Sequence, residues 1–185
     1  LSSLVTAHDP APEDGAADVA RDVVLDWVAG RQAETHDVYF GTNADDVAAA
    51  DADNPLDVLV SAGQSATGFD PDGLLDFGTT YYWRVDEVEA DGTTKYKGDV
   101  WSFSIPPKTA YAPDPADGAE FVDLETELSW TAGYGAILHT IYLGDNYDDV
   151  SNAEGEPSQG STSYKPASLE REKIYYWRVD EFDGS

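Results

Sequence analysis

The sequence contains no cysteine and no methionine. Without cysteine, the protein has no disulfide bond, no thiolate metal ligand and no cysteine nucleophile. It also has no apolar run that approaches the roughly 20 residues needed to cross a bilayer, so we expect no membrane insertion. The chain begins with leucine and shows no signal-peptide pattern, so we expect it to be a processed or excised piece of a longer protein.

Basic residues are scarce, because 10 lysines and arginines stand against 37 aspartates and glutamates. The formal net charge of −27 excludes the basic surface that a phosphate backbone needs, so no nucleic-acid partner is expected. Salt or divalent cations would relieve the self-repulsion of this charge, which favours an extracellular setting. Hydrophobic residues still make up 41% of the chain, which is enough for a packed core.

The chain contains two copies of one sequence pattern. The segment Tyr81–Glu87 returns letter for letter as Tyr175–Glu181, at an offset of 94 residues. Upstream, Trp27 corresponds to Trp130 at an offset of 103 residues, so the second copy is nine residues shorter between these points. We expect the deletion to fall in a loop around residues 51–68, because loops tolerate such changes.

Short alternating runs bounded by Gly, Pro and Asp predict β-strands, whereas helical periodicity is nearly absent. Tyr81, Trp83 and Val85 are expected to point inward, and the second copy keeps the pattern over 175–179. Strands every 10–20 residues, in units of roughly 100 residues, indicate antiparallel β-sandwiches. The predicted fold class is therefore all-β, with two β-sandwiches in tandem.

The strand tryptophans and the tyrosine segments together resemble a fibronectin type III fold. In that family a leucine six residues before a strand tyrosine marks a corner that locks the preceding turn. Leu75 and Tyr81 keep that spacing, as do Leu169 and Tyr175. With the ending Gly98–Phe103, the pattern is similar to the bacterial fibronectin type III-like or Ig-like repeats of large secreted and surface proteins. The resemblance implies two tandem fibronectin type III/Ig-like sandwiches.

The repeat predicts a division of the chain into four parts. Residues 1–12 are expected to be a connector, 13–105 the first sandwich, 106–115 a proline-rich linker and 116–185 the second sandwich. The second copy has no counterpart of Val100–Ser104, so its sandwich is expected to lack the last strand in this chain. We expect that gap either to be completed by further residues or to leave an open strand edge that invites strand addition.

Little in the sequence suggests catalysis. The three histidines are His8, His36 and His139, and no serine lies in a Gly-x-Ser-x-Gly elbow. His36 and His139 occupy equivalent positions, which permits a shared functional role. A partly buried histidine bonded to a loop carbonyl is the interpretation we favour. We expect the protein not to be an enzyme.

Calcium is the one cofactor that the sequence suggests, because aspartate-rich loops supply hard oxygen ligands. The candidate ligands lie in two loops: Asp51, Asp53 and Asp57 in one, and Asp70, Asp72 and Asp76 in the other. A third acidic stretch, Asp45–Asp46, is repeated as Asp145, Asp148 and Asp149. The alternative is a set of solvated turns in which aspartates cap their own backbone.

Strand alternation also predicts a recognition face. Tyr39, Tyr82 and Arg84 are expected to share one exposed face, and Tyr142, Tyr176 and Arg178 repeat it in the second copy. Tyrosines beside an arginine and carboxylates suit a polysaccharide or another surface protein. Asp37 and Asp86 would lie beside them, and the alternative is cross-strand packing in which these aspartates hold Arg84.

The leading functional hypothesis is a non-catalytic spacer or interaction module of a large extracellular or cell-surface protein. Its partners would be other domains of the same longer chain. Two alternatives stay open: a carbohydrate-binding accessory module of a polysaccharide-active protein, and a calcium-stabilised adhesin segment. A fold of this kind does not by itself decide among them.

Overall fold

The computed structural model describes residues 4–184, whose regular secondary structure is mostly antiparallel β-strand. The chain divides into two units, Leu1–Pro106 (unit 1) and Pro107–Ser185 (unit 2). The expectation of a predominantly β protein is confirmed. Among residues 4–184, no helix has the length and apolarity needed to cross a membrane.

Unit 1 contains two sheets and one short helix. One sheet has the order β1-β2-β5, and the other has the order β4-β3-β6-β7, with β8 also paired to β6. The elements are β1 (His8–Ala11), β2 (Leu25–Val28), β3 (Thr35–Gly41), α1 (Ala44–Ala49), β4 (Leu59–Gln64), β5 (Gly68–Phe69), β6 (Thr80–Val88), β7 (Lys95–Tyr96) and β8 (Trp101–Ser104).

Unit 2 repeats most of this plan with fewer strands. Its sheets have the orders β13-β10-β9 and β12-β11-β14. The elements are β9 (Tyr111–Asp114), β10 (Leu128–Thr131), β11 (Leu138–Gly144), α2 (Tyr147–Asn152), β12 (Ser158–Gln159), β13 (Ser163–Tyr164) and β14 (Tyr176–Phe182).

Three segments predicted to be a connector, a linker and a loop contain strands. Residues 1–12 supply β1, residues 106–115 supply β9, and the expected loop around 51–68 contains β4. The first two carry prolines, which the sequence analysis took as marks of a linker. Both strands lie at the edge of a sheet, where a proline removes no needed ladder hydrogen bond.

The two helices also depart from the expectation, because six-residue helices are too short to show helical periodicity. Their starts are nevertheless marked in the sequence. The side chain of Asn43 accepts hydrogen bonds from the backbone N–H groups of Asp45 and Asp46, and Asn146 does the same in unit 2. The acidic stretches considered as calcium ligands therefore supply the first turns of α1 and α2, where carboxylates complement the helix dipole.

The main core of unit 1 lies between its two sheets. Trp27 from β2 packs beside Trp83 from β6, and Trp83 meets the edge of Trp101 with ring centroids 4.7 Å apart. The predicted tyrosine corner is present in both units. The Tyr81 hydroxyl accepts a 3.0 Å hydrogen bond from the Asp76 backbone N–H, and the Tyr175 hydroxyl accepts one of the same length from Glu170.

Candidate functional site

The predicted recognition face of unit 1 is covered. Alternation along β3 is as expected, because Val38 enters the main core while Tyr39 points to the opposite side of the sheet. That side does not face solvent. Helix α1 and the segment after it fold over it, so that Tyr39 packs with Val47 and Val58 in a second, smaller core. The prediction that Tyr39 and Arg84 are exposed was wrong.

Arg84 is the centre of this second core and is 0% exposed. Its guanidinium donates to both carboxylate oxygens of Asp86, at 2.8 and 3.0 Å, and lies 4.1 Å above the Tyr39 ring. It also donates to carbonyl oxygens at the end of α1, at 3.0 Å to Ala48 and 2.7 Å to Ala50. Arg84 thus satisfies helix carbonyls that have no intrahelical partner.

Unit 2 repeats this arrangement in a more open form. Arg178 donates to Val150 and Ala153 carbonyl oxygens at 3.0 and 2.9 Å, lies 4.4 Å above the Tyr142 ring and bonds Asp180. Its side chain is 31% exposed. The packing alternative, in which an aspartate holds the arginine, therefore describes both copies, and the aspartate lies on the same strand as the arginine. Tyr82 is half-buried at the second core of unit 1.

Tyr176 is the predicted face residue that keeps an aromatic neighbour near the surface. Its ring lies 5.6 Å from that of Tyr147 in an edge-to-face arrangement, and Tyr147 is largely exposed. In unit 1 the position of Tyr147 is Ala44. Sequence reasoning passed over Tyr147 because it lies in the short helix that was not predicted.

The Tyr39 hydroxyl has a perturbed pKa. Burial raises the pKa to about 12, the carboxylates of Asp86 and Asp37 act in the same direction, and Arg84 opposes them. Lys95 holds Asp37 at 2.7 Å. Because the folded pKa exceeds the unfolded value of about 10, the contribution to stability is complete below pH 10 and is lost as the pH rises through 12.

We therefore expect unit 1 to lose stability between pH 10 and pH 12, and Tyr39→Phe to remove that loss. Each pKa unit corresponds to about 1.4 kcal/mol, so the difference reaches about 2 kcal/mol at pH 12. Denaturant titrations of both proteins at pH 8, 10, 11 and 12 measure it. Parallel pH profiles for the two proteins would contradict the burial of an un-ionised Tyr39.

A buried histidine and glutamate form the second polar constellation. Nδ1 of His36 is hydrogen-bonded to Oε2 of Glu87, and Glu87 Oε1 accepts a 2.9 Å bond from the backbone N–H of Gly30. In unit 2, Nδ1 of His139 lies 2.5 Å from Oε2 of Glu181, and the backbone N–H of Gly133 donates to Oε1 of Glu181 at 3.2 Å.

Both histidines are buried as expected, but the predicted partner was wrong, since a carboxylate takes the place of the loop carbonyl. The register of the β3–β6 pair could have identified Glu87 as the partner of His36. Glu87 continues the inward alternation of Trp83 and Val85 and lies directly opposite His36 in the β3–β6 pair. Trp27 meets the His36 ring edge-on at 5.5 Å, so the pair is enclosed. The His36–Glu87 pair fixes the loop at Gly30, because Glu87 accepts the Gly30 backbone N–H.

The candidate calcium ligands Asp51, Asp53, Asp57, Asp70, Asp72 and Asp76 are all exposed. Among residues 4–184, no three acidic or histidine side chains form a group that could hold a metal ion. Asp51 accepts hydrogen bonds from the backbone N–H groups of Asp53 and Asn54 at 2.9 and 2.7 Å, which is the self-capping turn considered as the alternative. Specific calcium binding stays a prediction.

A concave surface of unit 2 lies beside α2. In unit 1, Val58 packs on Gly41 and fills the space beside α1. Gly144 is the equivalent glycine, but the nine-residue deletion removes the counterpart of Val58. A cleft of about 360 Å³ lies there, and its lining includes Tyr142, Gly144, Asp149, Glu156 and Tyr164.

No protein-family model and no curated protein matches the sequence. Among solved structures, the chain is similar to an α-L-rhamnosidase of Streptomyces avermitilis whose crystal structure contains L-rhamnose. The identity is 13%, the TM-score is 0.37, and the match covers 97% of this chain and 25% of the rhamnosidase chain. This chain therefore spans about a quarter of that protein.

Proposed function

We propose that the chain is a pair of fibronectin type III-like β-sandwiches that act as a non-catalytic spacer and interaction segment of a large extracellular or cell-surface protein. The observation that carries the proposal is the use of the repeated polar side chains. Arg84 and Arg178 bind the carbonyls that end α1 and α2, while Glu87 and Glu181 hold glycine loops. Side chains used in this way stabilise a module.

The assignment to a sandwich fold is supported by the organisation of unit 1. Two antiparallel sheets share one core of tryptophans and β-branched residues, and a tyrosine corner fixes the turn before β6. These features are typical of fibronectin type III and related immunoglobulin-like sandwiches. Other domains of the same longer chain are the proposed partners.

The cleft of unit 2 favours a second candidate function, a carbohydrate-binding accessory module. Tyr164 supplies an aromatic side chain to its lining, and Asp149 and Glu156 supply hydrogen-bond acceptors for hydroxyl groups. The exposed Tyr147–Tyr176 pair is a second aromatic surface in the same unit. Unit 1 has Ala44 at the position of Tyr147 and serves as an internal control for the aromatic pair.

Calorimetry separates these functions: titrations measure binding, and thermal scans measure Tm. The spacer proposal predicts no saturable binding to a panel of polysaccharides, and a rise of Tm in CaCl₂ that NaCl reproduces by screening. Polysaccharide binding that Glu156→Ala abolishes would instead support the cleft, and loss in Tyr147→Ala would support the aromatic pair. A Tm rise specific to CaCl₂ that survives high NaCl would support the calcium-stabilised adhesin. Both substituted positions are exposed, so the variants are expected to fold.

A further inference from the structure

Unit 1 also has a concave surface, and it shares two positions with the cleft of unit 2. A cleft of about 450 Å³ in unit 1 is lined by Phe40, Val60, Phe69, Pro71, Asp72 and Leu75. Phe40 corresponds to Leu143 at the offset of 103 residues, and Leu143 lines the cleft of unit 2. The volumes of both clefts fall within the roughly 300–1,000 Å³ that is typical of small-ligand sites.

The aromatic side chains of β5 and β13 are the second shared position. Phe69 in β5 is paired with Leu25 of β2, and Tyr164 in β13 is paired with Leu128 of β10. Leu25 and Leu128 correspond at the offset of 103 residues, so the two aromatic residues occupy the same place in the fold. Each unit therefore presents an aromatic side chain to its cleft from the same strand position.

The turn before each of these aromatic residues is held in the same way. The side-chain amide of Gln64 donates to the Gly68 carbonyl at 2.9 Å, and the side-chain amide of Gln159 donates to the Ser163 carbonyl at 2.7 Å. Gly68 and Ser163 directly precede the aromatic residues in the chain. The fold of each unit thus fixes the backbone that carries the aromatic side chain before any ligand binds.

The nine-residue deletion leaves backbone groups of β11 facing the cleft of unit 2. In unit 1, the Phe40 backbone N–H points away from β6 and donates to the Val58 carbonyl at 2.7 Å. Leu143 repeats the register of Phe40 against the neighbouring strand, so its backbone N–H and C=O also point away from β14. Within residues 107–184, β12 pairs with β11 at 139–140 and does not reach Leu143. Leu143 therefore offers a donor and an acceptor to a ligand in the cleft.

The charged side chains in both clefts are carboxylates. Asp72 lines the cleft of unit 1, Asp149 and Glu156 line that of unit 2, and the residues lining the two clefts include no lysine or arginine. Carboxylates accept hydrogen bonds from hydroxyl groups. In a chain with a formal net charge of −27, they also repel a ligand that is itself negatively charged. An aromatic side chain beside such acceptors fits the apolar face and the hydroxyl groups of a neutral sugar ring.

We propose that each unit binds a segment of a neutral polysaccharide in its cleft, which gives the chain two saccharide sites. This rests on the carbohydrate-binding candidate described above and extends it to unit 1. In unit 1, Phe69 contacts the sugar ring and Asp72 accepts a hydroxyl group. In unit 2, Tyr164 and Glu156 take the same two roles.

The test is an NMR titration of the isotope-labelled full chain with neutral gluco-, galacto-, manno- and xylo-oligosaccharides. Amide signals are expected to shift in a saturable way in both units, at 68–73 in unit 1 and at 155–164 in unit 2. Oligogalacturonides, which are the negatively charged counterparts of the galacto-oligosaccharides, are expected to cause no such shifts.

Substitutions separate the two sites. Asp72→Ala is expected to weaken binding in unit 1 about tenfold and leave unit 2 unchanged, and Glu156→Ala is expected to do the reverse. Asp70→Ala and Glu154→Ala are the matched controls, because each removes a carboxylate two residues away that lines neither cleft. All four side chains are exposed, so the variants are expected to fold.

The outcomes distinguish this proposal from the function on which it rests. Shifts confined to unit 2, or loss of all binding in Glu156→Ala, would overturn the two-site proposal and leave the carbohydrate-binding candidate in place for unit 2. Absence of saturable shifts with every neutral oligosaccharide would overturn both. Binding of chitosan oligomers alone, abolished by NaCl, would overturn both in favour of nonspecific attraction to the negative charge.

Discussion

Replacing Arg84 with methionine is expected to lower the free energy of unfolding of unit 1 by about 3–5 kcal/mol, because the buried Asp86 carboxylate loses its cation. The carbonyls at the end of α1 lose their donors at the same time, which adds to the effect. Native-state hydrogen exchange in the full chain measures the loss separately for each unit.

Arg178→Met is the matched control, since it removes the same side chain from the same sequence in unit 2. Its effect is expected to be smaller, about 1–2 kcal/mol, because Arg178 and Asp180 are partly solvated and water replaces the lost bonds. Equal losses in the two units would contradict the difference in burial. A negligible loss for Arg84→Met would contradict its structural role altogether.

Gly30→Ala is expected to destabilise unit 1 by about 3 kcal/mol or more, at the upper end for overpacked sites. A Cβ atom at Gly30 would lie 2.2 Å from the Val5 carbonyl oxygen, which belongs to backbone and cannot turn away. Relief of this clash would pull the Gly30 N–H away from Glu87, and so weaken the clamp that includes His36. Thermal and denaturant unfolding measure the effect.

Gly68→Ala is the control, because its Cβ would meet Leu25 O at 3.5 Å, an ordinary contact. We expect a change within about 1 kcal/mol. The same contrast is available in unit 2, where Gly133→Ala would place a Cβ 2.3 Å from Lys108 O and Gly160→Ala meets open space. A loss of stability for Gly30→Ala as small as that for Gly68→Ala would contradict the close contact between Gly30 and the Val5 backbone.

The strands that carry the cores could be predicted because their signal is local. Alternation and letter-for-letter repetition place Trp83 and Trp177 on strands, and the leucine–tyrosine spacing predicts the corner at Tyr81. Alternation and the leucine–tyrosine spacing depend on residues close together in the chain, and the repetition is visible by comparing the sequence with itself, so a single sequence contains all three signals.

The cover over the second core could not be predicted in the same way. Residues facing away from the main core, such as Tyr39 and Arg84, carry polar groups and therefore suggest solvent. The structure instead places α1 on them, a long-range packing that strand alternation does not report. Asn43, followed by two aspartates and an alanine-rich run, is the sequence signal that could have revealed the helix.

Proline is compatible with both an edge strand and a linker, and the sequence analysis did not distinguish the two. Pro10 and Pro113 lie in β1 and β9, each paired on one side only, where a missing N–H costs nothing. In a linker the same residue would stiffen an extended chain. Pairing with a distant strand decides between the two, and that pairing is not visible in local composition.

The central claim is that the repeated polar side chains hold the fold of each unit together. A double-mutant cycle of Arg84→Met and Asp86→Asn, read by the free energy of unfolding of unit 1, tests it most directly. Residues that form one buried network are expected to couple by about 1.5–3 kcal/mol, so the double variant should be much less destabilised than the sum of the single variants. Additive effects, with a coupling energy below about 0.5 kcal/mol, would contradict the account.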